Sequence, residues 1–167
     1  MNLQRADRIA ILAVEALRPF CDQIEIAGSI RRRRPEVADV DIVALPKPWM
    51  LEPLLARCQE NARLMQSGEQ YRVFVLKDDT QLDLWIARPK LADLLTIEPG
   101  NFGMLLLSRT GSKEHNIKLA ARAKHMALHF HPHRGIMRGP DVIASETEDE
   151  IFRALDLPFI APENREA

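Results

Sequence analysis

The chain has 167 residues, 46% hydrophobic and 28% charged, which is enough for two small lobes or one ordinary domain with a real core and excludes a disordered protein. Its net charge of -1 and pI near 6.5 exclude a polycation, so an anionic partner must be held by a local basic patch. Two cysteines in no metal or redox spacing, no cleavable signal pattern in MNLQRADRIAILAVEALRP and no apolar run near ~18 residues argue for a reduced, soluble, cytoplasmic protein with no membrane partner.

Apolar residues at Leu3, Ile9, Leu12, Val14 and Leu17 recur with a helical period, and Pro19 stops that helix. QIEIAGS alternates as a strand ending at Gly28. ADVDIVAL alternates again, with Val40, Ile42 and Ala44 on one face and Asp39 and Asp41 on the other. LEPLLARCQENA suits a short helix. EQYRVFVLKDDTQLDLWIA reads as a hairpin turning at Asp78-Asp79, its second strand setting Leu82, Leu84 and Ile86 against Asp83. The pattern changes near Glu98-Pro99-Gly100, and the lobe boundary is placed there. Two short helices flank Gly111, ALHFHPH reads as a short strand, and SETEDEIFRAL is a helix with a Ser145-x-x-Glu148 capping box. Trp49, among prolines, and Trp85, on the face of Asp83, read as structural. The fold class is α+β.

One stretch, AGSIRRRRPEVADVDIVALP, carries chemistry. Two carboxylates ~7 Å apart along a strand repel and stabilise nothing unless a cation sits between them. If the strand of Asp83 neighbours that of Asp39 and Asp41, three carboxylates converge above a packed sheet. Such a hard oxygen set suits Mg²⁺, or two such ions. The plain alternative is three acids facing water on an open sheet. Gly28-Ser29 offers backbone N–H groups and a hydroxyl to a phosphate, and Arg31 to Arg34 offer forked donors to a polyphosphate or a nucleic-acid backbone. Separately these are a turn and a solvated face. Anion cradle, arginines and paired acids within 14 residues form a specific combination.

GSIRRRRPEVADVDIVAL resembles the nucleotidyltransferase signature of Gly-Ser, arginines and D-x-D, and the spacing of eleven from Gly28 to Asp39 is that of family X DNA polymerases, the polymerase beta group. QLDLWIA is similar to the strand bearing that family's third aspartate. NFGMLLLSRTGSKEHNIKLAARAK is similar to the segment joining palm to nucleotide-selecting lobe, and ETEDEIFRALDLPFIAPENRE to the C-terminal end. The resemblance runs along nearly the whole chain in order. It implies a nucleotidyltransferase palm over residues 1–99, a mixed or antiparallel sheet with helices on one face. A small α+β thumb or fingers lobe follows over residues 100–167, similar to the short viral members. Lyase, helix-hairpin-helix and PHP-type modules are expected to be absent, and the protein to be a monomer.

The implied activity is DNA-directed DNA polymerisation at a primer 3′-end, in short gaps during repair, using nucleoside triphosphates and two Mg²⁺ ions that Mn²⁺ replaces. By the resemblance, Asp39 and Asp41 hold both ions and Asp83 the catalytic one. Gly28, Ser29 and Arg32 meet the β- and γ-phosphates, Ser108 and Gly111 lie near the sugar, and Lys113, His115 and Asn116 lie by the base. Arg109, Lys118, Arg122, Lys124 and Arg134 are expected against DNA. Two departures stand out. Ser108-Arg109 replace two aromatics before T-G-S, which predicts easy ribonucleotide incorporation, and Gln81 replaces a basic residue near the primer phosphate. His129, His131 and His133 alternate as a metal cluster would, but Pro132 interrupts the strand, and a phosphate-facing surface fits better. Two other functions stay open: a template-independent nucleotidyltransferase acting on nucleic-acid ends or a small molecule, and a catalytically idle nucleic-acid-binding module. TGSKEHN favours templated synthesis over the first. Retention of three aspartates argues against the second, since a binder gains nothing from acids facing phosphate.

Overall fold

The computed structural model describes residues 1–92 and 97–166, and the chain divides into two compact units, Met1–Ala87 and Arg88–Ala167. The division falls ahead of the boundary read at residues 98–100. The Arg88 N–H donates to Asn101 Oδ1 at 2.6 Å, and the Asn101 N–H returns a bond to the Arg88 carbonyl at 3.2 Å, which ties the connecting segment to the second unit.

In the first unit, α1 (Leu3–Leu17) opens on Asn2, whose side chain accepts the Arg5 N–H at 2.9 Å, and ends at a 3₁₀ turn containing Pro19. β1 (Cys21–Ile26) leads to a single helical turn, α2 (Gly28–Arg31), then to β2 (Val40–Pro46), α3 (Leu51–Gln59), β3 (Ala62–Ser67), β4 (Tyr71–Leu76) and β5 (Gln81–Ile86). The five strands form one sheet in the order β1-β2-β5-β4-β3, antiparallel except for the parallel pair β2 and β5. This is the mixed sheet with helices on one face that the resemblance implies. Val40, Ile42 and Ala44 are fully buried and pack with Ala6 and Ala10 of α1 and Leu54 of α3. At the hairpin turn Asp79 takes a positive φ of 63°, and the Thr80 N–H donates to Asp78 Oδ1.

β3 has no counterpart in the sequence reading. Its residues are nearly all exposed, so no apolar alternation marks it, and pairing with β4 alone makes it the sheet edge. Trp49 is 94% exposed with φ +61°, which corrects the reading of it as structural. Cys21 and Cys58 are free and buried; burial pushes their thiols up to about 11 and about 12, so neither is a nucleophile at neutral pH.

The second unit contains a two-stranded pair, β6 (Leu91–Ala92) and β7 (Ile97–Glu98), then α4 (Phe102–Thr110), α5 (Lys113–His125), an antiparallel sheet of β8 (His129–His131), β9 (Gly135–Arg138) and β10 (Asp141–Ala144), and α6 (Glu148–Ala154). Met104, Leu107, Leu119, Ile136 and Ile151 fill its core. The capping box of α6 sits two residues later than expected. Thr147 caps the Glu150 N–H, and the Glu150 carboxylate accepts the N–H groups of Ser145 and Glu146. The reason is that Ser145 and Glu148 are engaged elsewhere: Ser145 Oγ donates to the Gly100 carbonyl at 2.7 Å, and Glu148 is a buried ion-pair partner. Among the described residues no helix is long and apolar enough to cross a membrane.

Candidate active site

The register of β2 and β5 builds the site. Asp41 and Asp83 are direct partners across this parallel pair, so both side chains leave the same face of strands that lie about 4.8 Å apart. The core residues Ile42 and Leu84 leave the other face. Asp39 lies in the bend that enters β2. Among the described residues, no three His, Cys, Asp or Glu side chains are grouped to hold a metal, so the fold pairs Asp41 with Asp83 but does not gather Asp39 into a closed cage. The donor set fits Mg²⁺ nonetheless. That ion is bound by one or two carboxylates with waters and substrate phosphates completing the shell, not by an all-protein cage.

Each paired carboxylate has a neutral donor. Trp85 Nε1 donates to Asp41 Oδ1 at 3.4 Å, and Gln81 Nε2 donates to Asp83 Oδ1 at 2.8 Å. Trp85 rests on Tyr71, its register partner in β4, with ring centroids 5.3 Å apart. Sequence reading assigned neither donor this role. The signal was present in the period-two spacing Gln81-Asp83-Trp85, which puts all three on one face.

Gly28 couples the paired acids to the Gly-Ser motif. The Ala27 N–H donates to the Asp41 carbonyl at 2.9 Å, and Gly28 then turns at φ +61°. A Cβ at Gly28 would lie 2.1 Å from Asp41 Oδ2. Only glycine meets both demands. Ser29, half-buried, stands in the first turn of α2, where backbone N–H groups lack intrahelical acceptors. The Arg32 N–H closes that turn onto the Gly28 carbonyl at 3.3 Å. Arg33 is exposed, with its guanidinium 3.8 Å from Asp7. A cavity of about 460 Å³ lined by Leu12, Ala13, Leu17, Phe74 and Leu82 lies on the helix-covered face of the sheet. Its lining is mostly apolar, and its polar members Arg57, Asn61, Lys77 and Asp78 include a single carboxylate, so we assign the site to the face that pairs two.

In the second unit α4 stops at Gly111, with φ +72°, and Ser112 caps α5 by accepting the His115 N–H at 3.2 Å. Asn116 is half-buried and its Nδ2 donates to the Ser108 carbonyl at 2.8 Å. The Ser108 hydroxyl lies 3.1 Å from the Pro132 carbonyl. Arg109 Nη2 approaches His133 Nε2 at 3.2 Å. The turn after β8 therefore rests on Ser108 and Arg109, where the family resemblance implied aromatics. Lys113, Lys118, Lys124 and Arg134 are exposed.

Two expectations are corrected here. Arg122 is tied back to its own unit: its side chain is 40% exposed, but its Nε donates to the Leu155 carbonyl at 3.0 Å and its Nη2 lies 3.5 Å from Asp156 Oδ2, so it secures the end of α6. His115 is 6% exposed and packs on Phe152, with centroids 6.0 Å apart, which withdraws its ring from any base. The helical period puts His115 on the core-facing side with Leu119, a signal the motif obscured. The rings of His129, His131 and His133 lie 6.1 and 6.2 Å apart in sequence, and the His133 N–H donates to His131 Nδ1 at 3.2 Å.

Burial, then Arg165 and Lys118, push the His115 imidazole down to about 4 from its ordinary 6.5. Below pH 6.5 the unfolded chain takes up a proton there that the folded chain refuses until about pH 4. Acidification therefore favours unfolding. Moving from pH 6.5 to 5 is expected to remove between about 1 and 2 kcal/mol, because the full slope of about 1.4 kcal/mol per pH unit develops only below the unfolded value of 6.5. His131, lowered first by burial and then by His129, adds in the same direction. Thermal melts across this range check it: His115→Gln is expected to flatten most of the slope, and an unchanged slope would contradict it.

Residues 105–166 match the family described as DNA polymerase beta thumb. The chain is also similar to the DNA polymerase/3'-5' exonuclease PolX of Bacillus subtilis (strain 168), at 28% identity over 165 residues. That alignment covers 96% of this chain but only 27% of the relative, so the chain spans about a quarter of its length. The thumb match runs from Leu105, within α4, through the following helices and sheet, and the PolX alignment, over 96% of the chain, extends to the strands that pair Asp41 with Asp83. Both comparisons point the same way: the chain is similar to family X polymerases, in its second unit by the thumb family and along most of its length by PolX.

Proposed function

We propose that the protein is a DNA-directed DNA polymerase that extends a primer 3′-end by metal-assisted phosphoryl transfer and fills short gaps in DNA. The observation that carries the reading is the register pairing of Asp41 with Asp83 beside Gly28. It sets two hard ligands against a backbone turn suited to a triphosphate. On this reading residues 1–87 are the catalytic palm, and the unit from Arg88 onward selects the nucleotide and meets DNA.

Asp41 and Asp83 would hold the divalent ions, with Asp39 joining them as the substrate phosphates fill the shell. Bound there, Mg²⁺ or Mn²⁺ lowers the pKa of the primer hydroxyl and offsets charge on the departing pyrophosphate. Trp85 and Gln81 orient the two carboxylates, as outer hydrogen-bond partners of metal ligands do. Ser29 and Arg32, flanking the Gly28 turn, bind the β- and γ-phosphates. Gly111 leaves room for the sugar, and Lys113 and Asn116 stand on the same helix start, toward the base. Arg109, Lys118, Lys124 and Arg134 contribute phosphate contacts, so DNA affinity falls steeply with salt.

Primer extension on one-nucleotide-gapped, recessed and single-stranded DNA tests this. Template-matched addition that is fastest on the gap is the expected result. Untemplated tailing would select a template-independent transferase, and DNA binding without extension an idle binding module. The same assay with ribonucleotides addresses Ser108. Its hydroxyl is held at the Pro132 carbonyl, and positions 108 and 109 are Ser and Arg, so neither carries an aromatic ring. Discrimination against ribonucleotides is therefore expected to be weak, within about tenfold of parity, because one unopposed hydroxyl is worth little in such a pocket. A preference for deoxynucleotides above a thousandfold would refute that expectation.

A further inference from the structure

The turn Thr110-Gly111-Ser112 is held by a residue more than fifty positions away. The Ser112 N–H donates to the Arg165 carbonyl at 3.2 Å. Arg165 is in turn fixed by its own side chain, which is completely buried. Its Nη1 lies 2.6 Å from Glu148 Oε1, and its Nε donates to the Ile160 carbonyl at 2.9 Å. Its guanidinium carbon stands 5.3 Å from the ring centre of Phe152 and 5.5 Å from that of Phe159.

Stability does not explain this arrangement. A buried ion pair is often matched or bettered by apolar residues of the same volume, because desolvation offsets the attraction. Satisfaction is also incomplete: the buried Arg165 Nη2 and His115 Nε2 find no partner among the described residues. What a guanidinium fork supplies is direction. Glu148 is the first residue of α6 and Ser112 the cap of α5, so Arg165 links the starts of two helices and fixes the turn between α4 and α5.

We infer that Arg165, paired with Glu148, is the positioning residue of the Thr110-Gly111-Ser112 turn and so sets how tightly the second unit holds an incoming nucleotide. The link to nucleotide rests on the polymerase reading; the link to the turn does not. Removing the pair together, as Glu148→Gln with Arg165→Met, avoids stranding a buried charge, and the double variant is expected to keep a single cooperative thermal transition. Its Ser112 amide is expected to exchange with solvent at least about tenfold faster relative to the amides of Leu119 and Ala123. Its KM for nucleotide is expected to rise about tenfold, with kcat changed less than about threefold, since misplaced binding groups are felt before the chemistry. Arg165→Lys, which keeps a cation for Glu148 and loses the bond to Ile160, is expected to fall between the two.

A double variant that folds with Ser112 exchange and nucleotide KM both unchanged overturns the inference. Should that variant fail to fold, the parent protein decides. There the Ser112 N–H and the Arg165 Nε–H are expected to be protected to within about threefold of each other, as members of one opening unit, and widely separate protection overturns the inference. If the parent extends no primer, the polymerase reading fails while the exchange measurements still decide what Arg165 does.

Discussion

Asp83→Asn is expected to cut templated primer extension by on the order of 10³-fold, or about 4 kcal/mol at the transition state, while leaving the protein folded. Asparagine keeps the shape of Asp83 and its place on the half-buried face, and Leu82 and Leu84 stay in the core. What goes is one of two adjoining negative charges, the one whose position across from Asp41 is set by strand register. Two carboxylates that close repel each other in the absence of a cation. The variant is therefore expected to melt at or above the parent temperature, which separates lost chemistry from lost structure. Single-turnover extension with saturating Mg²⁺, beside a thermal melt, checks both halves. Extension within tenfold of the parent would remove Asp83 from the proposed chemistry.

The second large effect belongs to Gly28→Ala. The new methyl carbon would lie 2.1 Å from Asp41 Oδ2, and a residue with a side chain would have to hold φ near +61°. The conformational term alone is about 1–2 kcal/mol. The contact must be relieved by moving Asp41, whose Oδ1 is tied to the Trp85 indole. Displacing one ligand by about an ångström is expected to cost on the order of 10²-fold in extension rate. Trp85 emission offers a second readout: in a Trp49→Phe background, moving Asp41 off the indole is expected to shift it. A Gly28→Ala protein with normal extension and unshifted emission would show that the cradle tolerates a side chain.

His115 and Arg122 show how a motif can mislead at single residues. TGSKEHN resembles a nucleotide-binding string, and that resemblance put His115 beside the base. Its position three residues after the Ser112 cap turns it inward onto Phe152 instead. Arg122 joined a list of cations on charge alone, but a long side chain near a helix end finds the nearest carbonyl, here that of Leu155. The edge strand β3 was illegible for a different reason. It buries almost nothing, so its sequence carries no period.

By itself the sequence determined the local elements with strong periods: α1 up to Pro19, the buried face of Val40, Ile42 and Ala44, the hairpin at Asp78-Asp79 and the helix break at Gly111. These follow from side-chain spacing and from the few residues that turn the backbone, both properties of neighbours in the chain. Tertiary structure alone decided that β2 lies parallel to β5 with Asp41 opposite Asp83, that Asp41 closes on Gly28, and that Arg165 reaches back to Ser112. Register and long-range closure depend on which surfaces bury together across many residues, and no local pattern encodes that choice.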